Sequence, residues 1–65
     1  MPNARGKLKE EVEGIHSSLE WVRVHCEKSI VIIGDTHPEL REYFSGLASL
    51  AKQLDEGAGQ IWAKL

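Results

Sequence analysis

A single cysteine, Cys26, stands in a chain of 65 residues, so no disulfide can form within it. The chain also lacks the paired Cys/His spacing that a structural zinc site needs. Aromatic residues are few: two Trp, one Tyr and one Phe. Proline is confined to positions 2 and 38, which leaves long stretches with no helix breaker. The longest unbroken apolar run, Ile30 to Ile33, is far too short to span a bilayer. The N-terminus has no apolar core of a signal peptide. A disulfide scaffold, a zinc-stapled fold and a membrane-spanning helix are thereby excluded. A lone cysteine without an export signal fits a reducing cytoplasm.

Excess charge of either sign is also missing. Eight Lys and Arg face ten Asp and Glu, for a net charge of −2. Arg23, Lys28, Arg41, Lys52 and Lys64 are dispersed among acids, whereas phosphate binding needs clustered cations. An RNA-binding hairpin dimer is therefore a minor alternative, and nucleic acid is not an expected partner. A chain this short rarely encloses a core that offsets its ordering entropy without help. With disulfide and zinc removed, association with another chain is the remaining help.

What is present is helical periodicity. Leu8, Val12, Ile15, Leu19, Val22, Cys26, Ser29 and Ile33 follow at alternating steps of 4 and 3. This heptad seam predicts a helix over about residues 5–33 with one face committed to a partner. Asn3 is its candidate cap. Arg5, Lys7 and Lys9 oppose the helix dipole, and Gly6 weakens the first turn, so fraying is expected before about residue 7. Lys28 suits the dipole at the other end. The run Ser29 to Ile33 also resembles a buried β-strand. The heptad register through Cys26, Ser29 and Ile33 favours helix, and no second strand exists to pair with it.

A second line runs along the same segment, about a third of a turn from the first. Gly14, Ser18, Trp21, His25, Lys28 and Ile32 again step by 4 and 3, with Val24 and Val31 beside them. A helix packed on one neighbour would carry charge there. Gly14, Ser18, Trp21, Val24, His25 and Ile32 are accordingly the expected oligomer interface, with Trp21 as its anchor.

Gly34 suits the left-handed position after a helix. Asp35 or Thr36 can cap the next helix, and Thr36 with Glu39 matches a capping box. Pro38 fits the first turn. A turn at 34–36 followed by a helix over about 37–64 makes an antiparallel hairpin. In the second helix Leu40, Tyr43, Phe44, Leu47, Leu50, Ala51, Leu54, Ala58, Ile61, Trp62 and Leu65 fall within a sector of about 120°. The sector keeps its phase across Gly57 and Gly59, so the helix is expected to run through them. It is wider than a two-helix seam needs and suits a bundle of more helices.

Candidate chemistry is sparse. Glu13 and His16 have the Glu-x-x-His spacing of di-iron bundles, with Glu20 one turn on. Arg23 within the same strip is a poor neighbour for a cation, and a solvated ladder of ion pairs explains the strip more simply. No inward carboxylate is expected from the second helix, where Asp55 and Glu56 read as solubilising. Cys26 reads as an apolar filler. The sequence thus predicts an all-α, two-helix antiparallel hairpin forming a homodimeric four-helix bundle. It would be a non-enzymatic interaction module without a cofactor, with a further protein partner as its second expected contact. A metal-binding bundle using Glu13, His16 and Glu20 is the alternative.

Overall fold

Two long helices and one tight turn make up the computed structural model, which describes residues 4–65. Helix α1 runs Ala4–Ile33 and helix α2 runs Pro38–Lys64, and the described residues contain no strand. The expected cap, Asn3, lies outside the described residues. Ala4, Arg5 and Gly6 are helical, so the expected fraying before residue 7 is not seen. Unfavourable cations and one glycine cost about 1 kcal/mol each at most, which is too little to end a helix of this length. Lys28 does not serve the dipole, because the last turn of α1 holds no basic residue. Ser29 to Ile33 is helical, and the strand alternative falls away.

The turn is built on Gly34, whose φ of +56° is open to glycine at little cost. Its N–H donates to the Ile30 carbonyl at 3.0 Å, closing α1 with a left-handed cap. The Thr36 hydroxyl donates back to the Ile33 carbonyl at 2.6 Å. This corrects the expected capping box: Thr36 seals the end of α1, and α2 is preceded by His37 with no side-chain cap. Pro38 compensates in part, because it has no N–H to satisfy. Glu39 in the first turn and Lys64 in the last both match the dipole of α2. Helix α2 passes through Gly57 and Gly59 without a break, as its preserved apolar phase predicts.

The shared seam is made of small residues. Val12 and Cys26 from α1 and Ala51 and Ala58 from α2 are the buried apolar side chains among the described residues, and no side chain there is fully enclosed. Leu19, Ile30, Ile33, Phe44 and Ala48 are half-buried beside them. The expected seam of α1 is therefore divided. Val12, Leu19, Cys26 and Ile33 turn towards α2, while Leu8 and Ile15 stay exposed. The hairpin is a ribbon of about 56 × 15 × 11 Å. Its radius of gyration is 15.4 Å, against about 11 Å for a compact chain of 65 residues.

Candidate functional site

The two broad sides of this ribbon differ in chemistry. Because the helices are antiparallel, turning in the same sense away from the seam brings side chains of both onto one side. On one side α1 presents Leu8, Ile15 and Val22, and α2 presents Tyr43, Leu47, Leu50, Leu54 and Ile61. Leu8 and Ile15 are about half exposed, and Leu54 is 61% exposed. Large apolar side chains thus lie outside while alanines fill the contact. A solvated helix would place them the other way round.

The opposite side carries the one side-chain hydrogen bond that joins α1 to α2 among the described residues. His16 Nδ1–H donates to Asp55 Oδ1 at 2.6 Å, and His16 Nε2 lies 3.8 Å from Glu20 Oε2. The ionised carboxylate only accepts, which places the proton on Nδ1. The bond to Asp55, and then its charge, raise the His16 pKa above the ordinary 6.5. Glu20 adds to the rise, whereas partial desolvation and Arg23 oppose it. A cavity of about 360 Å³ opens beside the pair, lined by Val12, Glu13, Ala58, Gly59 and Trp62 as well. Lys9 Nζ lies 5.4 Å from the centroid of the Trp62 ring, a cation–π contact at the same end.

Asp55 corrects two expectations. It is not a solubilising surface acid, since its side chain is only 20% exposed. It is also a carboxylate that the second helix does turn towards the first. The steps from Phe44 through Ala48, Ala51, Asp55, Ala58 and Trp62 to Leu65 alternate 4 and 3, which places Asp55 on the contact line. Of the metal candidates, His16 is engaged by Asp55 and Glu20, and Glu13 lines the cavity. No group of three or more His, Cys, Asp or Glu that could hold a metal ion is found among the described residues. Within the strip from Glu13 to Glu27, His16–Glu20 is the ion pair formed among the described residues, so the expected ladder is reduced to one rung.

The expected interface residues lie on the outer side of α1. Trp21 is 62% and Ile32 84% exposed, and Val24 is exposed as well. The Trp21 and His25 rings touch with centroids 3.8 Å apart, tilted by 39°. Gly14 and Ser18 are also exposed, and nothing lies within 4 Å of where a Gly14 side chain would begin. No close approach is made there by the hairpin itself. Cys26 is buried as a free thiol, consistent with an apolar filler. No helix among the described residues is long and apolar enough to cross a membrane. Compared with known proteins, the chain matches no family model, no curated protein and no solved structure.

Proposed function

We propose that the hairpin is one half of a homodimeric four-helix bundle that works as a small, non-enzymatic interaction module. The observation that carries this is the apolar side shared by both helices, with Leu8, Ile15, Leu47, Leu50, Leu54 and Ile61 all exposed. Surface area points to a second copy as its cover. The hairpin exposes 5345 Å², against about 4,200 Å² for a compact monomer of 7.3 kDa. Two chains that each hide the surplus bury on the order of 2,000 Å² together, the size of a specific, stable interface. The wide apolar sector of α2 would then line the centre of the bundle.

The dimer contact then moves off the line expected from the sequence. Gly14, Ser18, Trp21, Val24, His25 and Ile32 lie on the outer side of α1, where α2 adds no apolar side chains among the described residues, and so fall outside the proposed contact. The bundle would present Trp21 and Ile32 on its outside, where a regulatory or adaptor module needs its working surface. The buried thiol of Cys26 suits a reducing cytoplasm. Sedimentation equilibrium of the full chain is the test. A folded species of twice 7.3 kDa is expected. A well-folded monomer at micromolar concentration overturns the proposal.

A further inference from the structure

We infer that the second copy lies reversed on the first, with the two turns at opposite ends of the bundle. This rests on the homodimer proposed above and specifies how its apolar sides meet. Two arrangements keep every neighbouring helix antiparallel. In one the turns share an end and α1 faces α2 of the other copy. In the other the turns are apart, and each helix faces its own counterpart.

Charge separates them. The fold gathers Arg5, Lys7, Lys9 and Lys64 at the open end, against Glu10 and Glu11. At the turn end it gathers Glu27, Asp35, Glu39 and Glu42, against Lys28 and Arg41. The ribbon is thus basic at one end and acidic at the other. Turns at one end would stack like charge on like at both ends. Reversal sets each basic end beside an acidic one. Lys64 and Glu39 fall near the rim of the apolar side on α2, and reversal, which lays α2 on α2, sets the two against each other across the contact. The ends lie on the order of 40 Å apart within one chain, so this attraction cannot be satisfied inside a single hairpin.

Side-chain size is compatible with reversal. About the middle of α1, it lays Leu8 of one copy over Ser29 of the other, and Ile15 over Val22. The register set by His16 and Asp55 then lays Leu47 over Gly57 and Leu50 over Leu54 on α2. Leu8 and Leu47 each meet a small residue, and two leucines meet near the centre.

A spin label on Asp35→Cys, in a Cys26→Ala background, measures the distance between turns in the dimer. Asp35 is fully exposed, so the label disturbs no packing. Reversal gives a separation on the order of 50 Å, close to the length of the ribbon. A separation under about 25 Å, the width of a four-helix bundle, overturns the arrangement and leaves the dimer standing. A monomer by sedimentation, with no dipolar coupling, sinks the underlying proposal instead. Unlabelled protein gives a second measurement, by zero-length carbodiimide coupling of mixed light and nitrogen-15 chains. Reversal joins Lys64 of one chain to Glu39 of the other. Interchain products confined to Lys28 with Glu39 or Glu42 overturn it.

Discussion

His16 and Asp55 stand 39 residues apart in the chain, yet their side chains meet at 2.6 Å. The contact crosses from α1 to α2 at a point where Asp55 interrupts a line of alanines. It makes one side of the ribbon a polar clasp, while the other side is left apolar. A buried alanine at position 55 would have completed the small-residue seam. Asp55 exchanges that apolar contact for a hydrogen bond whose strength depends on the charge of a histidine.

The clasp makes stability depend on pH in a defined direction. Asp55, as hydrogen-bond acceptor and as charge, raises the pKa of His16 above 6.5, the value it returns to on unfolding. The folded state therefore holds the proton more tightly. Its contribution is fully present below pH 6.5 and is lost as pH rises through the raised value. Thermal melts followed by circular dichroism should show a lower midpoint at pH 8.5 than near pH 6. Asp55→Asn and His16→Gln should each flatten that difference. A slope unchanged in both variants would assign it to other groups.

The two apolar surfaces respond differently to substitution. Leu54→Glu puts a charge into the proposed dimer contact and should raise Kd by about 100-fold or more, equal to roughly 2.7 kcal/mol. Trp21→Ala acts on the outer side of α1 and should leave Kd within about two-fold, since exposed positions away from a contact change little. Sedimentation velocity over a concentration series reads both. If Trp21→Ala dissociates the dimer while Leu54→Glu does not, the dimer contact moves to the outer line of α1.

Glycines 34 and 59 should shift stability in opposite senses. Nothing lies within 4 Å of a side chain added at Gly59, which sits inside a helix. Gly59→Ala should add about 0.5–1 kcal/mol, the usual difference in helix propensity. Gly34 holds a φ of +56°, so Gly34→Ala should cost about 1 kcal/mol through the crowding of its Cβ. Urea melts at one protein concentration compare the pair. Equal shifts of the same sign would contradict the turn geometry.

The hairpin was legible because its signals are local and repeated. Gly34 and Pro38 punctuate the turn, and the apolar phase of α2 survives two glycines. The identity of the contact line was harder to read. Hydrophobicity ranks Leu47, Leu50 and Leu54 above Ala48, Ala51 and Ala58, yet the alanines face α1. Close helix packing selects small side chains, a preference that a polarity scale does not record. Asp55 was missed for the same reason, although its 4 and 3 spacing from Ala51 and Ala58 marked it. Thr36 matched a forward cap by spacing, but its hydroxyl found the carbonyl of Ile33 behind it. Backbone direction after Gly34 decides between those partners, and no residue count specifies it.

Gly34 carries one more consequence. Its backbone sits in the conformation natural to amino acids of the opposite hand, so a D-alanine introduced there by chemical synthesis would fit without crowding. Such an enantiomer would also narrow the freedom of the unfolded chain. The bend between the helices is thus the point where mirror-image chemistry would reinforce this protein.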